Sequence, residues 1–211
     1  MAPLPLALGR YWAPRYWPAF PELNEQQIAS LTTRQFENVG AFFAEVAMSW
    51  FTDPDRLRHL FRIEGVEHVH RALARGKGVV LFSGHFTTLE ICVPVIKSLV
   101  PLFAFMFRVR HNALLNEFQS RCRQRAAHVA LVNDDIRAML RLLQQNAVVW
   151  YAPDQAHAPL EDLPTDDAIR DTERLIGVLE AFIRECPEQY LWTHRKFKDR
   201  EGNLPDAYRS A

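Results

Sequence analysis

The chain is poor in cysteine, and its 25 basic residues are matched by 25 acidic ones. Cys92, Cys122 and Cys186 are odd in number and widely spaced, with no CxxC among them. That argues against a disulfide framework and a cysteine zinc site, and it favours a reducing compartment. Zero net charge removes any global pull toward nucleic acid. His68 and His70 are close, but they sit in a helical pattern with Val66, Val69 and Leu73 and have no ligand in register, so a solvated face is expected and no metal site. Met1 to Leu8 is short and lacks the basic start of a secretory signal. A long hydrophobic run is missing too. The most apolar window, Ile91 to Phe107, is interrupted by Pro94, Lys97 and Pro101, and reads as a helix followed by a buried strand. Neither a G-x-S-x-G elbow nor a glycine-rich phosphate loop is found.

What is present is a sizeable core: 48% of 211 residues are hydrophobic, which suits one domain. An arm of residues 1–23 carries Gly9-Arg10-Tyr11-Trp12 and Pro14-Arg15-Tyr16-Trp17. Aromatics beside cations suit a membrane–water interface, and they equally suit an irregular arm packed on the core. Asn24 with Gln27 marks a helix start. Ile28, Leu31, Phe36, Val39, Phe43, Val46 and Trp50 continue it as one long amphipathic helix ending at Asp53-Pro54. A second helix spans Val66 to Ala74. Strands are expected at about Val79 to Ser83, Leu102 to Phe107, Val129 to Val132 and Ala147 to Tyr151. Helices are expected between them, from Thr87 to Leu99, from Asn112 to Ala126 and from Asp134 to Gln145. This alternation predicts an α/β fold with a mostly parallel sheet and helices on both faces, preceded by an N-terminal helical segment. A Pro-containing loop, a last helix from Asp166 to Glu185, an aromatic and basic segment to Lys198 and a frayed tail over 199–211 complete the chain.

The most informative stretch runs from Gly78 to Glu90. A short apolar strand meets Gly84-His85, and the turn opens a helix. Open α/β sheets place their chemistry at such carboxyl ends. Glu90 follows His85 by five residues, about 140° around a regular helix, so the two side chains meet only if the chain bends between them. Glycine at the corner supplies the bend. The spacing alone is common here, recurring at His59 and Glu64, His157 and Asp162, and His194 and Asp199. Only His85 stands at a strand-to-helix junction.

Leu81-Phe82-Ser83-Gly84-His85-Phe86-Thr87-Thr88-Leu89-Glu90 resembles the HX4(D/E) motif of the late acyltransferases of lipid A biosynthesis, the lauroyl- and myristoyl-transferases. Further segments agree in order: Arg62 to Gly65, Arg108 with Asn112, Arg123 with Arg125, Asp135 to Leu140, Val149 to Gln155, and Pro187 to Phe197. The resemblance covers most of the chain from Phe20 to Lys198. There are departures. Val109 stands where the family often has Pro, and Cys122 where it often has Gly. The family's hydrophobic anchor helix is not visible, and an internal stretch near 155–160 looks absent, so residues 24–198 resemble a single shortened domain.

The resemblance implies a glycerolipid-acyltransferase-like fold and acyl transfer from acyl carrier protein to a hydroxyl of a lipid A precursor of the Kdo2-lipid IVA type, with no other cofactor. It implies the cytoplasmic face of the bacterial inner membrane, with peripheral attachment here, and no nucleic-acid partner. His85 would act as general base, and Glu90 would orient its ring. Arg123 and Arg125 would bind phosphates, or else form an exposed helix face. Arg108, Asn112 and Asp154 would line the substrate site, with a turn or cap as the alternative role for Asp154. Arg195, Lys196 and Lys198 would meet anionic lipid or remain solvated. A non-catalytic, shortened remnant with at most lipid or membrane-surface binding is the second reading.

Overall fold

A computed structural model of the protein describes residues 19–109, 112–154 and 166–192. Its contacts gather in two compact units. One comprises Phe42–Ser83 and Thr88–Pro153; the other comprises Gly84–Thr87 with the described parts of 1–41 and 154–211. Most of the expected arm, the stretch near 155–160 and the whole tail lie outside the described residues.

In chain order the elements are α1 (Glu25–Phe51), α2 (Pro54–Leu57), α3 (Val66–Leu73), β1 (Val79–Phe82), α4 (Leu89–Lys97), β2 (Phe103–Phe107), α5 (Ala113–Ala126), β3 (Val129–Val132), α6 (Ile136–Gln144), β4 (Val148–Tyr151) and α7 (Asp166–Glu185). Single 3-10 turns follow α2 and α7, at Arg58–Leu60 and Pro187–Gln189. The sequence pattern shows neither of these nor α2, because none is long enough to display a period.

The Phe42–Ser83 and Thr88–Pro153 unit holds a four-stranded, wholly parallel sheet in the order β1-β4-β2-β3. β2 is an unbroken apolar run because both of its faces are covered. Phe103 and Phe105 point into a cluster with Leu73, Val93, Val100, Ala126, Val148 and Trp150, to which α3, α4 and α5 contribute. Ala104 and Met106 point the other way, to Leu131, Val149 and the α6 residues Ala138, Met139, Leu142 and Leu143. The sheet therefore carries helices on both faces, as the alternation of elements predicts.

Capping accounts for the helix boundaries. Asn24 and Gln27 exchange reciprocal bonds of 2.9 Å at the start of α1, which satisfies two orphan donors. Asn112 and Asp135 accept from Leu115 N and Ala138 N to open α5 and α6. Asn146 ends α6 at φ 63°, and its carboxamide bonds Gly78 N and Leu73 O, tying the entry of β1 to the end of α3. Gly78 itself has φ 72°, and a Cβ there would lie 2.6 Å from Leu143 O. Only glycine fits that corner.

Pro94 lies inside α4 without ending it. A proline has no N–H for the carbonyl four residues back, here Glu90 O. Ser49 Oγ donates to that oxygen at 2.7 Å instead. The carbonyl freed by Pro94 thus becomes an anchor for the last turn of α1.

Candidate active site

β1 and β4 are neighbours, with Phe82 in register with Tyr151, and Ser83 N extends the ladder to Tyr151 O at 3.0 Å. Three residues past Phe82 comes His85. Three residues past Tyr151 comes Asp154. Equal offsets from the paired ends of β1 and β4 give these two residues matching places along the sequence. Both belong to the smaller unit, and there they bond. His85 Nδ1 lies 2.5 Å from Asp154 Oδ1, and the His85 backbone N–H donates to Oδ2 at 3.0 Å. Tyr190 donates its hydroxyl to the same Oδ2 at 2.7 Å. The Asp154 side chain is 2% exposed and that of His85 31%.

A carboxylate can only accept, so Nδ1 carries the proton in this pairing. In the neutral ring Nε2 then holds the free lone pair, and it has no hydrogen-bond partner among the described residues. An oriented imidazole with an accessible, unprotonated nitrogen is the arrangement a general base needs.

The backbone around His85 is held by the segment after α7. Phe86 and Tyr190 form an antiparallel bridge. On either side of it, Thr87 N donates to Gln189 O at 2.7 Å and Leu191 N to His85 O at 2.8 Å. The rings follow the same course: Phe86 meets Tyr190 edge-on at 5.4 Å, Tyr190 meets Trp192 at 5.1 Å, and Trp192 meets Phe20 at 5.6 Å. Phe20, Ile28, Leu31, Tyr190 and Trp192 form the buried core of this unit. Gly84 is closely packed at the corner: a Cβ would lie 2.9 Å from Leu179 Cδ1 and 3.1 Å from Tyr190 Cε2, so those side chains would have to shift to admit one.

Glu90 belongs to the sheet-bearing unit, and its carboxylate has different partners. Oε1 accepts from Arg123 Nε at 3.0 Å and from Arg123 Nη2, and Oε2 accepts from Trp50 Nε1 at 3.3 Å. The pair is nearly dry, with side-chain exposures of 12% for Arg123 and 9% for Glu90. Arg123 also lies over the rings of Phe105 and Phe107, 5.7 and 5.5 Å from their centroids. Its guanidinium is thus engaged by an internal carboxylate and two aromatic faces.

The remaining expected residues are spread over the same unit. Arg108 is exposed just past β2. Asn112 is an exposed helix cap. Arg125 is exposed on α5, with Nη2 3.7 Å from Cys122 Sγ. Arg195, Lys196 and Lys198 lie outside the described residues. Sequence reasoning missed Tyr190, and it treated Asp154 as a substrate-side or capping group instead of the partner of His85. The only signal in the sequence was the equal three-residue offset from two strand ends, and it has meaning only once β1 and β4 are known to be neighbours. In the sheet-bearing unit, burial pushes the Cys92 thiol of α4 up to about 11, so it stays protonated. No described helix is long and apolar enough to cross a membrane.

Comparison with known proteins gives a consistent answer. The model for the bacterial lipid A biosynthesis acyltransferases matches residues 18–159 and 155–199. The lipid A biosynthesis lauroyltransferase of Escherichia coli (strain K12) is 26% identical over 241 residues, covering 90% of this chain and 78% of the relative. The palmitoleoyltransferase of the same organism is 25% identical over 232 residues, covering 86% and 76%. A lipid A biosynthesis acyltransferase of Haemophilus influenzae is 29% identical over 135 residues, covering 64% and 42%. The first two alignments are longer than the 211 residues of this chain, so they open gaps within it. The family match falls into two segments that meet at 155–159. On these matches, and with a strand-to-helix histidine in the expected α/β frame, the chain belongs to the bacterial lipid A biosynthesis acyltransferase family.

Proposed function

We propose that this protein transfers a fatty acyl group from acyl carrier protein to a hydroxyl of a lipid A precursor of the Kdo2-lipid IVA type, at the cytoplasmic face of the inner membrane. The observation that carries the reading is the His85–Asp154 pair, with Nδ1 held and Nε2 open. His85 Nε2 takes the proton of the acceptor hydroxyl as its oxygen attacks the thioester carbonyl. The tetrahedral intermediate collapses, the carrier thiolate leaves, and the imidazolium returns the proton to it. General base catalysis of this kind contributes about 10²–10⁴-fold. Asp154 fixes the tautomer and offsets the charge on the imidazolium, the role an aspartate plays in a Ser-His-Asp triad. We assign Glu90 a different task, which is to hold Arg123 and to join α1, α4 and α5. With Arg123 engaged inside the protein, phosphate recognition falls to the exposed Arg108 and Arg125.

The test is an assay of purified protein with acyl-charged carrier and detergent-dispersed acceptor, read by mass spectrometry of the lipid. The expected product gains one acyl chain, and His85→Ala lowers its formation at least about 10²-fold. Normal turnover by His85→Ala would remove the mechanism. The second reading, a shortened chain that binds lipid without acylating it, is favoured by the gapped alignments and the two-segment match. Product from an unshortened relative and none from this chain would select it.

A further inference from the structure

The geometry points to Tyr190 as a positioning residue: its hydroxyl, together with the backbone of residues 189–191, sets the carboxylate of Asp154 so that His85 keeps its proton on Nδ1 and its lone pair on Nε2. The inference rests on the reading of His85 as the base. Tyr190 is 2% exposed and packs among Phe20, Ile28, Leu31 and Trp192. For packing alone a phenylalanine would serve, because the ring supplies the buried area. A buried phenol instead requires a partner for its O–H. The partner here is Asp154 Oδ2, the oxygen that also accepts from the His85 backbone, while Oδ1 faces the imidazole. A carboxylate turns easily about its terminal bond. The bond from Tyr190 fixes that rotation, and with it the plane presented to Nδ1.

The main chain makes the same connection. The two bonds from Thr87 N to Gln189 O and from Leu191 N to His85 O bracket the Phe86–Tyr190 bridge, so His85 and Tyr190 are held in register through the backbone as well as through Asp154. Trp192 closes the segment behind them by donating Nε1 to Pro187 O at 2.7 Å. The segment that reads in sequence as an aromatic tail therefore acts as the rear wall of the histidine turn.

Tyr190→Phe removes the hydroxyl and keeps the ring. It is expected to lower kcat roughly tenfold or more, the worth of one hydrogen bond to a charged group, with KM little changed. The acid limb of the kcat/KM profile should also move to higher pH, because a carboxylate with one donor fewer favours the imidazolium more strongly. A purely structural tyrosine would lower the amount of folded enzyme and leave that limb in place. A second readout needs no turnover. The hydrogen bond from the His85 Nδ1–H to the Asp154 carboxylate predicts a far-downfield N–H proton resonance, assigned by its loss in His85→Ala. Tyr190→Phe should shift or broaden it. Site-specific fluorotyrosine at 190, a stronger donor with the ring packing retained, should move it in the opposite sense, which covers the case of a poorly folded Tyr190→Phe. An unchanged resonance in these proteins, or its absence from the wild type, overturns the proposal. So does Tyr190→Phe with wild-type kcat and pH profile. An inactive wild type with the resonance behaving as described would instead fault the assigned reaction, and the two failures are thereby told apart.

Discussion

Two buried carboxylates, Asp154 in one unit and Glu90 in the other, teach different lessons. Asp154 meets a titratable ring and a phenol, so the group it holds can still gain and lose a proton. Glu90 meets a guanidinium and an indole, neither of which titrates near neutral pH. On the proposed reaction the first arrangement would move a proton, whereas the second ties α1, α4 and α5 together. Sequence spacing singles out Glu90, five residues past His85, whereas the partner the structure gives to the ring is Asp154, sixty-nine residues away. Proximity along the chain is a poor guide here because a turn can be paired with any strand end that the sheet order brings beside it.

The largest effect that tests this contrast is on turnover. Asp154→Asn should match His85→Ala to within about tenfold, each losing at least about 10²-fold, because an amide no longer stabilises the imidazolium or selects the tautomer. Full activity in Asp154→Asn would return the orienting role to Glu90.

The next effect is on stability. Glu90→Gln leaves the Arg123 guanidinium buried without its counter-charge, and breaking such a pair costs about 3 kcal/mol or more. Denaturant melts should show this loss, whereas Asp154→Asn should unfold at close to the wild-type midpoint. If Glu90→Gln melts normally and abolishes turnover, the division of labour between the two acids is reversed.

Gly84→Ala should have an intermediate effect. The new methyl presses on Leu179 and the Tyr190 ring, and overpacking of this kind costs about 1–3 kcal/mol. Thermal melting reports the cost, and the His85 resonance should shift with it, since the same corner carries both. A Gly84→Ala protein with an unshifted melt would show that the corner is looser than the contacts suggest.

The smallest effect is a pH dependence in the sheet-bearing unit. Phe103 N donates to His128 Nδ1 at 3.0 Å, which requires that nitrogen to be unprotonated. Burial, and then the Lys97 charge, hold the His128 imidazole below its ordinary 6.5. For a base held low in the folded state, the contribution to stability is complete above the unfolded value. It falls as the pH drops through that value toward the folded one. Melting temperatures measured from about pH 8 to pH 5 should decline more steeply for the wild type than for His128→Gln. Equal slopes would dismiss the bond as a determinant.

Much of the fold was legible without coordinates. The strands β1 to β4 were expected within a residue or so of where they lie, because short apolar runs between punctuating Gly, Pro and Asn have few other uses. The helix starts at Asn24 and Asn112 were legible for the same local reason. His85 could be found because a glycine corner between a strand and a helix is itself a local pattern. Its ring partner could not. Neither could Tyr190, which reads in sequence only as one aromatic among several.

By itself the sequence determined the family, the order of the strands and of the longer helices, and the place of the histidine, since all of these are written in residues near one another along the chain. Tertiary structure alone decided that β4 lies beside β1, that Asp154 takes Nδ1, that Tyr190 holds Asp154 and that Glu90 answers Arg123. Those pairings depend on sheet order and on which segment returns to bridge the turn. Both are set by burying many side chains together, and no short spacing records them.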